Sequence, residues 1–557
     1  MQQPWLNSYP SDVPAVIDPD AYPSLVALIA ESCTRFSTKR AFGSFGTYLT
    51  YAALDRQAEA FAAYLQQRLH VHPGDRVALM LPNLLQYPVA LLGVLRCGAV
   101  VVNTNPLYTA RELKHQLNDA EVKVIVIYEP MLGVLAEVLA TTSLKAIVTT
   151  AAGDMFPNPK RLLVNLKMRG RGERSRLSRA IAWPQVLARG AQLRLSAPPI
   201  AGHDLAFLQY TGGTTGVAKG AMLSHRNLIA NILQAFVWTR GLVRPGEEVI
   251  VTALPLYHIF ALTMNCFTFM LHGGLNCLIA NPRDLKQMID EFKRLPFTAI
   301  TGVNTLFNAL AQHADFRKLD FSNLRFVGGG GSAIQQAVAE RWRAVTGTTI
   351  VEGFGLTEAS PLVCINPPSP QEFSGGIGLP APSTECRIVA EDGTDQPPET
   401  AGELWVRGPQ VMQGYWRRPA DTAAVLTADG WLKTGDIAVM RADGFFKIVD
   451  RLKDMILVSG FNVYPNEIEE VVALLAGVHE VAVIGVPSTK TGEAVKVSIV
   501  PSDPRLTAEV VLAHCRRHLT QYKIPRQVVL VDDLPKSAIG KILRREVRER
   551  HGREASE

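Results

Sequence analysis

A loop of glycines and threonines that ends in lysine constrains this chain more than any other feature. It spans residues 210–220 and directly follows the apolar run 205–208. Glycines let backbone N–H groups approach an anion closely, and the hydroxyls and the lysine add donors and positive charge. The loop reads Tyr210, Thr211, Gly212, Gly213, Thr214, Thr215, Gly216, Val217, Ala218, Lys219, Gly220. The sequence therefore predicts a phosphate-binding loop.

This loop departs from the Walker A pattern. In that pattern glycine and lysine are followed by Ser or Thr, whose hydroxyl binds Mg²⁺. Here Ala218 precedes Lys219 and Gly220 follows it. The residues therefore indicate a different nucleotide chemistry.

Further polar motifs follow the loop in a fixed order. The segment Gly353, Phe354, Gly355, Leu356, Thr357, Glu358 offers an aromatic plane, a hydroxyl and a carboxylate, the groups that adenine, phosphate and Mg²⁺ require. Residues 431–436, 450–456 and 535–541 complete the series. Together these motifs resemble those of the adenylate-forming superfamily, over nearly the whole chain. Segments 429–437, 446–451, 255–262 and 459–467 are most similar to bacterial long-chain-fatty-acid–CoA ligases.

The resemblance implies an ATP-dependent activation of fatty acids in two steps, with Mg²⁺ as cofactor and CoA as the second co-substrate. Acyl-adenylate would form first with release of pyrophosphate, and CoA would then give the thioester and AMP. By resemblance, residues 211–219 hold the β- and γ-phosphates, Tyr210 belongs to the same ATP site, Thr357 contacts the α-phosphate, and Glu358 binds Mg²⁺. Asp436 and Arg451 hold the ribose. The chain has Phe354, Gly212 and Ala218 where tyrosine, serine and proline are common in the superfamily.

The catalytic and mobile parts are also implied by the resemblance. Lys541 follows a glycine near the C-terminus and is expected to bridge the carboxylate and the α-phosphate. His258 is expected between the acyl and CoA tunnels, with its role as a base left open; a buried, hydrogen-bonded histidine is the alternative. Lys453 is the expected hinge. The expected lining of the CoA tunnel is Ser459, Gly460 and Phe461.

The fold class expected is α/β. Short apolar runs such as 77–81, 122–127 and 249–254 alternate with helical patterns, as in parallel sheets. Residues 1–450 are predicted to form a large domain of layered α/β subdomains, with a small antiparallel β subdomain at 376–447. Residues 451–453 are the predicted hinge, and 454–557 a small mobile α+β lid. The tail is predicted to run strand, helix, strand, helix.

Composition bounds the number of domains and argues against a secreted or membrane-spanning protein. With 557 residues and 47% hydrophobic residues, at least two domains are expected, and the net charge of +6 selects no partner by itself. Seven scattered cysteines without a C-x-x-C pair indicate buried thiols in a reducing compartment. The N-terminus lacks a signal-peptide pattern, and no apolar run is long enough for a membrane span. We expect a cytoplasmic protein with no nucleic-acid partner; a homodimer stays open.

Residues 160–179 mix leucines with many basic residues. On a helix, Leu162, Leu163 and Leu166 would share one side, a pattern that suits the anionic inner face of the cell membrane. A solvated basic loop is the alternative reading.

The substrate class rests on the stretch between Thr252 and Arg283, which contains no Asp or Glu. An enzyme that activates amino acids generally has a carboxylate here, whereas this stretch is apolar. As the lining of a tunnel it would favour fatty acids; a core helix is the alternative reading. The alternatives are a medium-chain or aryl-acid CoA ligase, an acyl-AMP ligase, and a non-catalytic acyl-binding relative.

Overall fold

The structure is a computed structural model that describes residues 3–169, 177, 180–211, 217–367 and 373–552. The helices are α1 Leu25–Arg35, α2 Tyr51–Arg68, α3 Gln86–Arg96, α4 Ala110–Asp119, α5 Leu132–Val138, α6 Lys160–Arg169, α7 Trp183–Gly190, α8 His225–Thr239, α9 Phe269–Leu271, α10 Leu285–Phe292, α11 Asn304–Gln312, α12 Gln336–Thr346, α13 Pro419–Val425, α14 Pro465–Ala473, α15 Ala508–His518 and α16 Arg544–His551, with a π-helix at Ala261–Thr268.

The strands are β1 Arg40–Ser44, β2 Thr47–Thr50, β3 Arg76–Met80, β4 Val100–Asn103, β5 Val124–Tyr128, β6 Ala146–Thr150, β7 Ala180–Ala182, β8 Leu205–Thr211, β9 Lys219–Ser224, β10 Val249–Thr252, β11 Leu275–Leu278, β12 Ala299–Gly302, β13 Phe326–Gly329, β14 Val351–Gly355, β15 Leu362–Ile365, β16 Leu379–Pro380, β17 Glu385–Val389, β18 Gly402–Arg407, β19 Leu432–Met440, β20 Phe446–Arg451, β21 Ile456–Val458, β22 Phe461–Val463, β23 Val478–Ser488, β24 Gly492–Pro501 and β25 Gln527–Leu530. The described residues arrange these strands in four sheets.

The first sheet positions the glycine-threonine loop. Its order is β7-β6-β5-β3-β4-β8-β9, and every neighbouring pair is parallel except β8 with β9. Helices cover both faces, which is why β3 and β5 are continuous apolar runs. Thr211 and Lys219 are register partners at the ends of β8 and β9. Residues 212–216, between these two ends, lie outside the described residues.

The second sheet positions the motif that contains Thr357 and Glu358. Its order is β16-β15-β14-β13-β12-β10-β11-β1-β2, with parallel strands from β14 to β1. The motif begins on β14 and continues into the turn after it, at the carboxyl end of the parallel strands. This end of an open α/β sheet is where ligands usually bind.

The third sheet is antiparallel, in the order β17-β18-β19-β20. It lies in the region for which turn signals predicted a small antiparallel unit. Its register places Asp436 of β19 directly opposite Arg451 of β20. Two motifs that are distant in the sequence therefore become neighbours.

The fourth sheet belongs to the C-terminal part and has the order β22-β21-β24-β23, with β25 parallel to β24. The predicted order strand, helix, strand, helix differs from the structure at one place. β23 and β24 pair directly as an antiparallel hairpin, with α14 before them and α15 after them. The long pairing buries one apolar side of both strands against these helices.

The C-terminal part is closed over the large body. The hydroxyl of Thr305 donates to the carbonyl of Gly540 at 2.8 Å, and the amide of Asn308 donates to the carbonyl of His479 at 2.9 Å. The first contact holds the residue before Lys541 against α11, and the second holds the start of β23 against the same helix. All seven cysteines are buried and free, which confirms the prediction of buried thiols.

Candidate active site

A cavity of about 620 Å³ lies where the first three sheets and the C-terminal part meet. Most of the residues that the motifs predicted for the site line it. They are Thr211, Lys219, His258, Gly353, Phe354, Gly355, Thr357, Glu358, Asp436, Arg451, Lys453 and Lys541. Residues from six separate segments of the sequence are therefore brought to one space.

Glu358 lies in the short turn Thr357–Ala359 after β14. Its Oε1 accepts a hydrogen bond of 2.7 Å from the hydroxyl of Tyr415, and burial together with this carboxylate raises the pKa of that tyrosine. Across the described residues, no three His, Cys, Asp or Glu side chains form a preformed metal cluster. A single carboxylate suits Mg²⁺, which usually takes one or two protein carboxylates and completes its shell with phosphates and water. The donor set therefore fits the ion.

Lys219 reaches the cavity from the start of β9. Its Nζ lies 2.5 Å from Oδ1 of Asp421 and 5.4 Å from the centroid of the Tyr415 ring. The ammonium is therefore held between a carboxylate and an aromatic face, close to the end of the glycine-threonine loop. Such a cation attracts phosphate oxygens.

Asp436 and Arg451 face each other across β19 and β20. Nε of Arg451 donates to Oδ1 of Asp436 at 3.1 Å. Burial raises the pKa of Asp436, while the charges of Arg451 and Lys541 oppose that rise. A carboxylate that accepts and a guanidinium that donates suit the hydroxyls of a ribose.

Lys541 projects into the cavity from a turn closed by two hydrogen bonds. Gly540 N donates to Ser537 O at 2.9 Å, and Ser537 N donates to Lys541 O at 2.8 Å. Gly540 has a φ of +85°, and a Cβ there would lie 2.9 Å from the hydroxyl of Thr305. Only glycine therefore fits next to the lysine without strain.

The same enclosure makes Lys541 titrate near neutrality. Burial, together with the positive charge of Arg451 and against the opposing effect of Asp436, lowers the pKa of Lys541 to about 7. A bound anion would favour the ammonium form of Lys541.

His258 lines the cavity after β10 and is neutral at physiological pH. Burial, with a further contribution from Lys541, lowers its pKa to about 4. The backbone N–H of Phe260 donates to its Nδ1 at 3.4 Å. This contact assigns the ring proton to Nε2, which can then donate a hydrogen bond. The role of His258 in positioning substrate stays a prediction, and its role as a base stays open.

An apolar wall continues the cavity beyond the polar residues. It includes Ile259, Phe260 and Met264, together with Phe326, Val351 and Ile365. Met264 belongs to the π-helix, a rare conformation that is often found at functional sites. Its neighbours Leu262, Phe267, Phe269, Met270 and Leu271 are buried in the core. The π-helix and α9, which follow one another directly, therefore supply both the lining and the core packing.

Four predicted residues point elsewhere. Tyr210 donates its hydroxyl to Asp119 at 2.6 Å. Ser459 and Gly460, both with positive φ, form the turn between β21 and β22, and Phe461 stacks on Tyr522 with 4.7 Å between ring centroids. Phe461 is 55% exposed. Their predicted roles in ATP binding and in the CoA tunnel stay predictions, as do those of residues 212–216.

Some residues that line the cavity were not predicted from the sequence motifs. The run Gly328–Gly331 at the end of β13, Glu403 and Tyr415 all line the cavity. Four consecutive glycines after an apolar strand are a sequence signal that could have indicated close approach to a ligand. Glu403 and Tyr415 carry no comparable local signal, since only the folded chain brings them to the cavity.

Comparison with known proteins identifies the family. The model of the AMP-binding enzyme family matches residues 29–416, and the model of the AMP-binding enzyme C-terminal domain matches residues 467–541. The chain belongs to the AMP-binding enzyme family. It is 54% identical, over 99% of its length and 98% of the relative's, to a long-chain-fatty-acid–CoA ligase of Salmonella typhimurium. A feruloyl-CoA synthase of Amycolatopsis is 36% identical over 91% of this chain and 95% of its own.

Solved structures share the fold. The chain matches ATP-bound MatB from Rhodopseudomonas palustris with a TM-score of 0.81 and 29% identity, over 95% of this chain and 99% of that one. The match spans the body and the C-terminal part together. It supports the α/β fold with a small C-terminal domain that the sequence predicted.

Proposed function

We propose that this chain is an ATP-dependent long-chain-fatty-acid–CoA ligase. The observation that carries the proposal is the convergence of Thr357, Glu358, Asp436, Arg451 and Lys541 on one cavity with an apolar wall. The high identity to a ligase of that name over nearly the full length supports it. The product would be the acyl-CoA from which fatty acid β-oxidation starts.

The first step would join the fatty acid to AMP. A carboxylate resists a thiol because its leaving group would be oxide, so it must first become a mixed anhydride. Asp436 and Arg451 would hold the ribose, Thr357 the α-phosphate, and Lys219 the departing pyrophosphate. Lys541 would bridge the attacking carboxylate and the α-phosphate, where negative charge accumulates.

Mg²⁺ would be held by Glu358 together with the phosphates of ATP. When bound, it neutralises the charge of the triphosphate. Tyr415 would keep the carboxylate of Glu358 oriented through its hydrogen bond.

The second step would require the lid to turn. In the structure Lys541 occupies the cavity, whereas the turn Ser459-Gly460 is exposed on the lid. We propose that rotation about Lys453 moves Lys541 out of the cavity and brings the turn Ser459-Gly460 to it. CoA would then reach the acyl carbonyl past Gly460. Hinges absorb such a change of φ and ψ in a few residues.

The apolar wall supports a fatty acid as substrate. Each methylene buried there contributes about 0.8 kcal/mol, so a long chain is favoured strongly over a short acid. An aryl acid is the second candidate, because a feruloyl-CoA synthase is among the relatives.

The experiment that tests the function is AMP release from ATP with oleate, octanoate, benzoate and ferulate, each with and without CoA. We expect oleate to give the highest kcat/KM and thioester formation only with CoA. A preference for ferulate or benzoate would identify an aryl-acid ligase. Pyrophosphate release with acyl-AMP as the product, and no AMP release on addition of CoA, would identify an acyl-AMP ligase. No turnover with any acid would leave a non-catalytic relative.

We further propose that α6 contacts the anionic face of a membrane. One side of the helix is fixed to the body: Asn165 accepts a hydrogen bond from Gly153 N at 2.8 Å, and Lys160 donates to the hydroxyl of Thr47 at 3.1 Å. The other side exposes Leu162, Leu163 and Leu166, at 65%, 64% and 68%. The basic residues that follow, Arg171, Arg174, Arg176 and Arg179, lie outside the described residues.

This contact would be peripheral. None of the helices in the described part of the chain combines the length and hydrophobicity that a bilayer crossing requires. A fixed helix with exposed leucines next to basic residues suits the interface of an anionic leaflet.

A further inference from the structure

A buried arginine in the C-terminal part, Arg544, joins the turn of Lys541 to the hinge. It is the first residue of α16 and comes three positions after Lys541. Its Nη1 donates to Oδ1 of Asp450 at 2.9 Å, while Nη2 and Nε donate to the two carboxylate oxygens of Glu469 at 2.8 and 3.1 Å. Asn466 accepts a further hydrogen bond from Nη2. The side chain is 15% exposed, so these contacts replace most of its hydration.

The carboxylate partners of Arg544 lie on different sides of the proposed hinge. Besides Asp450 and Glu469 they include Asp454, whose Oδ2 lies 3.8 Å from Nη1, just after Lys453 on the lid side. Asp450 is the residue before Arg451, and its side chain is fully buried. Its Oδ1 also accepts from Arg451 N at 2.7 Å, which links it to the proposed ribose site. Glu469 instead belongs to α14 and also accepts from Val483 N, at 2.8 Å, within the lid. The pair with Asp450 therefore crosses the hinge, and the pair with Glu469 does not.

A turn of the lid about Lys453 would separate Arg544 from Asp450 and leave Glu469 beside it. When a buried ion pair is separated, the charge that stays buried, here that of Asp450, is uncompensated unless water enters. The pair with Asp450 therefore favours the lid orientation in which Lys541 occupies the cavity.

We propose that Arg544 is a positioning residue for adenylate formation. Its pair with Asp450 holds the turn of Lys541 in the cavity and separates when the lid turns for the thiol step. The inference rests on the proposed two-step function.

The test measures the two half-reactions separately in the full-length protein. ATP–pyrophosphate exchange driven by oleate reports the first, and thioester formation from supplied oleoyl-AMP and CoA reports the second. The variants are Asp450→Asn and Arg544→Lys, because lysine keeps the charge but cannot contact two carboxylates with the same geometry. Glu469→Gln is the matched control. It removes another carboxylate partner of the same guanidinium, but one that moves together with Arg544 when the lid turns. Circular dichroism checks that each variant is folded.

We expect Asp450→Asn and Arg544→Lys to slow the exchange by about tenfold or more and to retain thioester formation. Glu469→Gln should change both half-reactions in the same proportion. If Asp450→Asn does not fold, Arg544→Lys decides the result. Unchanged exchange, or an equal loss of both half-reactions in the Arg544 variant, would overturn the inference. Wild-type protein that shows no exchange with oleate would instead refute the proposed function.

Discussion

The hydroxyl of Tyr415 donates a hydrogen bond of 2.7 Å to Oε1 of Glu358, the carboxylate that we propose for Mg²⁺. Tyr415→Phe should remove this bond and keep the ring against Lys219. Partners that orient a metal ligand typically contribute 10- to 100-fold to metal affinity, so we expect the Mg²⁺ requirement of AMP release to rise by about tenfold. The KM for oleate serves as the internal control. Superimposable Mg²⁺ titrations of the variant and the wild type would contradict the proposed role.

Lys541 is expected to act only in adenylate formation. Lys541→Ala should lower oleate-driven ATP–pyrophosphate exchange by about a hundredfold or more, because a fixed charge at the reacting centre is lost. Thioester formation from supplied oleoyl-AMP and CoA should persist. The matched control is Lys536→Ala, a lid lysine that instead contacts Glu480 at 2.8 Å and Asp533 at 2.7 Å. An active exchange in Lys541→Ala would remove the residue from the mechanism.

The placement of the motif residues at one cavity was predictable because each motif holds its side chains within a few positions. Thr357 and Glu358 are adjacent in the sequence, and the turn before Lys541 is specified by Gly540. The α/β class followed from the apolar runs that became β3, β5 and β10. Local patterns of this kind are preserved on folding, since a buried strand needs apolar residues on both faces.

The partners of these residues were not predictable in the same way. Tyr415 reaches Glu358, and Asp450 reaches Arg544, only after elements distant in the sequence pack together. The hairpin of β23 and β24 was missed because two apolar runs do not by themselves indicate whether a helix separates them. Side-chain networks depend on tertiary packing, whereas the motifs report only local composition.

ATP binding should be linked to proton uptake by Lys541. Its pKa is about 7 without ATP, because burial and Arg451 disfavour the ammonium. The triphosphate favours the ammonium, so its binding raises this pKa and takes up a proton. As pH rises above 7, the free protein loses that proton and ATP should bind more weakly, by at most about tenfold per pH unit.

Calorimetry in buffers of different ionisation enthalpy measures this uptake. At about pH 8, the phosphate groups themselves are well above their pKa of about 6, so they contribute little. Lys541→Met should bind ATP without the uptake. An equal uptake in the methionine variant would assign the proton to another group.

The hinge can be tested by fixing one backbone angle. Near Lys453, Leu452 N donates to Gly435 O and Asp454 N donates to Arg451 O, both at 3.0 Å. Lys453→Pro fixes φ near −65° and should retain exchange while slowing thioester formation by at least about tenfold. Lys453→Ala, which removes the same side chain without fixing φ, should form thioester faster than the proline variant. Equal thioester rates in the two variants would place the hinge elsewhere.

Membrane contact by α6 can be tested without destabilising the fold. Its leucines face outward, whereas Asn165 holds the opposite side of the helix to the body. The combined variant Leu162→Gln, Leu163→Gln, Leu166→Gln should lower partition into anionic vesicles on the order of a hundredfold, from the loss of buried apolar area. Neutralising Arg169, Arg171, Arg174 and Arg176 should lower binding to anionic vesicles and leave binding to neutral vesicles unchanged. Co-flotation with vesicles measures both. The melting temperature should not fall in the leucine variant, since those side chains are exposed. Equal flotation of both variants and the wild type would leave α6 as a solvated surface helix.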